Sequence, residues 1–149
     1  MRPGRIAFAC SLAVLTLALP SPAMAHHAPD LMIQKINEVR ARHGLPPLRS
    51  SPSLGRSSRR FAGWLMAHDS FGHRTRVSAS RRFRKVGEAM AMHRGRKPRV
   101  RRTVRRWLRS SAHRKLLLTR SMNWLGAGLC RGRFGRRRSV IWVIQVGRL

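Results

Sequence analysis

The sequence predicts an α+β domain in which a small antiparallel sheet is covered by helices on both faces. Three observations carry that expectation. Apolar residues recur at helical spacing in several separated segments, the run Val140–Ile144 near the end is continuously apolar, and no linker is long enough to divide 149 residues into two domains. A strand that reads as an unbroken apolar run is covered on both faces, which calls for a helical layer above and below it.

Residues 1–25 stand apart from this pattern. Arg2 and Arg5 precede an apolar run from Ile6 to Leu19, Pro20-Ser21-Pro22 breaks it, and Ala23-Met24-Ala25 places small residues where a signal peptidase reads. At about 14 residues the run is short for a membrane span. The pattern predicts a secretory signal over residues 1–25 cleaved after Ala25, a tail over 26–29 and a domain over 30–149 with no transmembrane segment.

Asp30 is the expected N-cap of the first helix, with Met32, Ile33, Ile36 and Val39 on its inner face and Gly44 and Pro46-Pro47 ending it. A second helix is expected over Ser53–His68, burying Leu54, Phe61, Ala62 and Leu65. The polar loop Asp69–His73 follows, then a short basic helix around Ser78–Arg84, and Val86–Met92 reads as a strand. Pro98 suits the first turn of a third helix, where Val100, Val104, Trp107 and Leu108 form one stripe. Ser110 is positioned to cap a short fourth helix carrying His113. Leu125–Cys130, interrupted by Gly126 and Gly128, and Val140–Ile144 are the closing strands, joined by the Gly- and Arg-rich connection Arg131–Arg138.

Lys and Arg together number 33 against 4 Asp and Glu, a formal net charge of +29. Only Lys35, Lys85, Lys97 and Lys115 are lysines, so arginine dominates. A two-carboxylate glycosidase would have to draw both groups from Asp30, Glu38, Asp69 and Glu88, and a carboxylate cage for calcium or magnesium is equally short of ligands. The two cysteines, Cys10 and Cys130, exclude a disulfide framework. Once the leader is removed Cys130 is alone; a small hydrophobe on a strand is the favoured role, a reactive thiol or intermolecular link the alternative.

Arginine binds phosphate in bidentate fashion. Arg101, Arg102, Arg105, Arg106 and Arg109 on the third helix, with Arg136, Arg137 and Arg138 on the hairpin, form the expected polyanion-binding surface. Its partners would be phosphate-bearing envelope polymers or anionic lipid headgroups, which an exported protein meets first, with nucleic acid less favoured. Trp64, Trp107, Trp124 and Trp142 are expected mostly in the core, which weighs against stacking on single-stranded bases. The competing explanation is a solvated surface without a partner.

The segments INEVRARHGLPPLRSSPSL, FAGWLMAHDSFGH, VGEAM, VRRWLRSSAHRKLLL and LGAGLC…SVIWVIQVG, in this order, resemble the CAP superfamily of cysteine-rich secretory, antigen five and pathogenesis-related proteins. The chain is most similar to the compact bacterial form, the SCP-like extracellular domain. The resemblance covers Leu31 to Gly147 and implies a three-layer α-β-α sandwich. It also implies a cleft of two histidines and acidic partners able to hold zinc, with His73, Glu88 and His113 at the matching positions. Two departures reduce a four-residue site to three: Ala89 stands where many members have Asn, and Ser110 where larger relatives have a second Glu.

Chemically, two imidazoles suit zinc, and a carboxylate can bind the metal or orient a histidine. His113, near the start of its helix, should stay neutral. The implied function is binding, with His73 and His113 as metal ligands. The alternatives are a metal-dependent hydrolase of a peptide or wall component using Glu88 as base, and a purely structural cluster in which the histidines hydrogen-bond to Glu88.

Overall fold

The computed structural model describes residues 28–74, 77 and 81–149. Four helices and four strands follow one another as α1 (Ala28–Arg42), β1 (Arg49–Ser50), α2 (Pro52–Ala67), β2 (Lys85–Arg94), α3 (Val100–Arg109), α4 (Ser111–Leu118), β3 (Trp124–Phe134) and β4 (Arg137–Arg148). The sheet order is β1-β3-β4-β2. Strand β4 pairs antiparallel with both β3, to which a tight turn joins it, and β2, whereas the two-residue β1 lies parallel to β3. The expected sandwich is therefore present, with a sheet made mixed by one short strand.

Strand β4 explains the layering. Val140, Trp142, Ile144 and Val146 pack on one face with Met32 and Ile36 of α1, Val104 and Trp107 of α3 and Leu117 of α4. Ile141 and Val143 pack on the other with Phe61, Ala62, Leu65 and Met66 of α2. Alternate side chains of one strand thus serve two helical layers, and the strand has no polar face to show.

Gly126 and Gly128 do not interrupt β3. They are where α2 rests on it: a Cβ at Gly126 would lie 2.1 Å from the Gly55 nitrogen, and one at Gly128 2.2 Å from the Arg59 nitrogen. Only a residue without a side chain lets helix and strand backbones come this close.

Several boundaries differ from expectation. Helix α1 begins at Ala28, with Pro29 in its first turn, so Asp30 is not the cap and the tail does not extend to residue 29. Helix α2 begins at Pro52 rather than Ser53, and Ser51 caps it, its hydroxyl accepting from the Leu54 N–H. Arg99 takes the N-cap of α3 in a left-handed conformation, φ 48°, which displaces Pro98 from the helix. The Pro98 carbonyl instead accepts from Trp142 Nε1 at 2.6 Å. Residues 81–84 are not helical; much of the expected basic helix, the leader and His26-His27 lie outside the described residues. The closing strands run on through the arginines to a tight turn at Gly135, because an exposed hairpin needs no apolar residues to keep its ladder.

Candidate functional site

The outermost strand of the sheet, β2, carries Glu88, and the loop after α2 brings His73 to it. That loop is fixed at its start. His68 caps α2, its ring Nδ1 2.8 Å from the Trp64 carbonyl oxygen. Asp69, with φ 46°, accepts the Gly135 N–H of the β3–β4 turn on its carboxylate. Phe71 and His73 follow.

Glu88 lies opposite Gln145 in the β2–β4 register, and its side chain is only 3% exposed. Both carboxylate oxygens are occupied. Oε1 is 3.0 Å from His73 Nδ1, and Oε2 accepts from Gln145 Nε2 at 3.0 Å. An ionised carboxylate only accepts, so the His73 proton on this contact sits on Nδ1, leaving Nε2 for other partners. His73 itself is half exposed.

His113 arrives on α4, three positions beyond the N-cap Ser110, whose hydroxyl makes no capping bond. It lines a cleft of about 540 Å³ with Phe71, Met90, Met92, Arg106 and Trp107. Trp107 fixes the back of that cleft, donating from Nε1 to the Met90 carbonyl at 3.0 Å. Burial first, then the nearby His73 and Arg106, hold the His113 pKa below the usual histidine value. The neutral ring expected from its place on the helix is thus favoured chiefly by desolvation.

The three expected residues are therefore brought together unevenly. His73 and Glu88 are in contact, while His113 opens on a cleft that neither of them lines. Among the described residues no hydrogen bond joins His113 to either, and no group of three or more His, Cys, Asp or Glu side chains is arranged to hold a metal. For zinc, His73 Nε2 and His113 would be the ligands, with Glu88 orienting His73. Two imidazoles are fewer than the three protein ligands of a catalytic zinc centre. The set suits a weakly held ion, and no hydrolytic step follows from it. Asp69, Ser70 and His73 form no nucleophilic chain either, since Asp69 and His73 are bonded to different partners.

The arginines of α3 surround a second hollow. Arg102, Arg105, Arg106 and Arg109, with His93 of β2, line a cavity of about 510 Å³, and Arg106 also lines the His113 cleft. Arg101 lines a different cavity, with Lys35 and Arg42 of α1, and Arg105 borders both. On the hairpin, Arg136, Arg137 and Arg138 are exposed. In the sequence His93 is marked only by the basic run that follows it. Strand alternation places it on the face of Ala89 and Ala91, towards α3, and its Nε2 lies 2.7 Å from Thr103 Oγ1. Burial, then Arg106, Arg102 and Arg99, push its pKa down.

The tryptophans divide. Trp107 and Trp142 are buried as expected, but Trp64 is 37% exposed, with the Arg74 guanidinium 4.4 Å from its ring, and Trp124 is half-buried between Arg49 and Arg82. Trp64 lies off the inner stripe of Phe61, Ala62 and Leu65, so α2 presents it outward. Cys130 is half-buried beside the α2 cluster, and burial raises its thiol pKa, which suits the packing role over the reactive one.

This architecture has known counterparts. An outer surface protein of Borrelia burgdorferi superposes with a TM-score of 0.65 at 20% identity, covering 79% of this chain and 90% of that one. An extracellular SCP-domain protein of Bacillus anthracis gives 0.65 at 20% identity, covering 81% of this chain but 40% of that one. A cysteine-rich secretory protein of Staphylococcus aureus gives 0.51 at 15% identity, covering 82% and 40%. At these identities the likeness concerns the fold. No curated protein matches in sequence. The profile of the CAP, or cysteine-rich secretory protein, family matches residues 33–146, nearly the whole of the described fold. The chain belongs to that family.

Proposed function

We infer that this chain is an exported binding module that associates with anionic polymers or lipid headgroups of the cell envelope. One observation carries the reading: the protein's own carboxylates do not neutralise its arginine surfaces. Glu38 pairs with Lys35 and feels only the outlying charges of Arg42 and Arg101, Glu88 pairs with His73 and Gln145, and Asp69 with the Gly135 N–H. Asp30 sits near Arg56 and Arg59, on another side of the molecule from the α3 cavity. The remaining positive charge has to find its counter-charge outside the chain, and arginine's planar fork favours phosphate. The leader-like residues 1–25 support export, and so does the description of the structural neighbours as outer-surface or extracellular proteins.

The hydrolase alternative is less well supported, because a general base has to reach substrate or water and the Glu88 side chain is only 3% exposed, held by His73 and Gln145. Co-sedimentation with isolated envelope fractions over a salt series tests the binding reading. The bound fraction should fall log-linearly with salt, losing orders of magnitude in affinity when several phosphates are engaged. Binding that ignores ionic strength, or that is equal to uncharged wall material, would overturn it. Competition by nucleic acid alone would favour the nucleic-acid alternative.

A further inference from the structure

We propose that the hollow between the arginines of α3 and His93 of β2 is a diphosphate-binding pocket, an inference that rests on the polyanion reading and gives it one chemical group. Its lining consists of Arg102, Arg105, Arg106, Arg109 and His93, around about 510 Å³. The four arginines stand at i, i+3, i+4 and i+7, the spacing that places side chains on one side of a helix. Like charges at these separations oppose helix formation. The sequence nonetheless puts four of them there, and no acid in the first turn relieves them.

These guanidiniums are also uncommitted. Among the described residues none of the four makes a hydrogen bond, ion pair or ring contact, although Arg40 is bonded to four carbonyls and Arg74 lies over two aromatic rings. Each retains five N–H donors. All four carboxylates of the chain lie elsewhere, so no internal anion competes for the hollow.

The floor is fixed. Thr103 Oγ1 donates to the Arg99 carbonyl at 3.1 Å and therefore accepts from His93 Nε2–H. That bond ties β2 to α3 directly beneath the arginines. A pocket whose walls share one helix and whose base is bonded to a strand loses little freedom on binding.

The span selects the ligand. Arg102 and Arg109 are seven residues apart, roughly 10 Å along a helix axis. A single phosphoryl group engages the arginines of one turn. A diphosphate carries terminal oxygens on two phosphorus atoms and can take a bidentate contact from each turn at once. On the hairpin side Arg96, Arg131, Arg133 and Arg138 line a smaller hollow of about 300 Å³, where Arg133 is already bonded to the Arg136 carbonyl.

Two sources could present this group: a soluble diphosphate or a diphosphate ester on a lipid. Calorimetric titration of the purified chain with inorganic pyrophosphate, at ionic strength held constant with chloride, should give a saturable one-to-one isotherm. Affinity should exceed that for sulfate by about tenfold or more. Arg105→Gln with Arg106→Gln should abolish that preference, whereas Arg56→Gln with Arg59→Gln, on α2 beside Asp30, should bind as wild type. Arg105→Lys with Arg106→Lys keeps the charge and the helix and should also lose the preference, because lysine lacks the fork. In the second arm, flotation with phosphatidylcholine vesicles that contain or lack a prenyl diphosphate separates the sources. Recruitment requiring both the diphosphate and the α3 arginines assigns a lipid-borne ligand; pyrophosphate binding without recruitment assigns a soluble one. Pyrophosphate bound no better than sulfate, or a lysine or α2 variant that breaks the expected pattern, overturns the pocket. Envelope co-sedimentation would still report separately on the broader reading.

Discussion

Arg40 Nη1 donates to the Leu117 carbonyl oxygen at 2.7 Å, and the arginine is completely buried. The same guanidinium reaches the carbonyls of Thr119 at 3.2 Å, Pro46 at 2.9 Å and Met122 at 3.5 Å. No carboxylate takes part. The last turn of a helix leaves carbonyls without partners, and here a charge from α1 satisfies those at the end of α4 and in the loop beyond it. Burial, then Arg120, lowers the Arg40 pKa, yet a guanidinium stays protonated.

Replacing Arg40 with Met fills similar volume but takes the donor from two buried carbonyls, those of Leu117 and Met122, and from two part-buried ones. Each such group costs about 1–3 kcal/mol, so Arg40→Met should destabilise the domain by roughly 3 kcal/mol or more. Urea unfolding measures this through a lower midpoint at unchanged slope. Arg40→Lys should recover part of the loss. A methionine variant as stable as wild type would show that the carbonyls are satisfied without Arg40.

Arg40 also shows where sequence reading stops. Its neighbours Ile36 and Val39 announced the inner face of α1, but an arginine beside that stripe reads as a solvated flank, because buried arginine is rare. Elements with sustained periodicity, such as α2 and β4, were legible. Strand β1 was not: two residues carry no pattern, and the residue before it, Leu48, is held at its N–H and carbonyl by the Asn37 side chain of α1, at 2.8 and 3.0 Å. In the site, His73, Glu88 and His113 were visible through family resemblance. Gln145 was visible only as a polar residue following an apolar run, and its role needs the register that sets it opposite Glu88. His93 needed the packing of α3 on β2, which no local signal encodes.

Acidification should destabilise the protein through two of its histidines. His93 and His113 both have pKa values below the usual 6.5 in the folded state, chiefly through burial. Arg106, Arg102 and Arg99 add to this at His93, and His73 and Arg106 at His113. Below about pH 6.5 the unfolded chain takes up protons that the native rings refuse, so stability is full above that pH and falls as pH drops through the lowered native values. Melting temperatures followed from pH 8 to pH 5 should decline, and His93→Gln should make the decline shallower. An unchanged slope in that variant would remove His93 from the explanation.

Export should leave a defined new end. If Ala23-Met24-Ala25 is read by a signal peptidase, sequencing of the exported protein should begin at His26-His27. Ala25→Asp or Ala25→Phe should abolish processing at that bond, because the pocket for that position accepts only small side chains. Full-length protein held in the cytoplasm would overturn both the leader and the envelope reading.

Zinc separates a ligand site from a structural hydrogen-bond cluster at the outer strand. His73 keeps Nε2 available while Glu88 holds Nδ1, and His113 is favoured neutral, as a ligand must be. Two imidazoles without a third protein ligand predict weak binding. A ligand specific for the folded state stabilises by RT ln(1 + [L]/Kd), about 2.7 kcal/mol at hundredfold excess over Kd, so the melting shift should need zinc well above the concentrations that load three-ligand sites. His73→Ala or His113→Ala should each remove most of that shift. Glu88→Ala should weaken affinity by about 10- to 100-fold, as the loss of an orienting carboxylate does. It should also lower the stability of the metal-free protein, because Gln145 Nε2, fully buried, loses its acceptor. If zinc shifts neither wild type nor variants while every substitution lowers the metal-free melting temperature, the histidines and Glu88 serve only to hold the loop and α4 against β2.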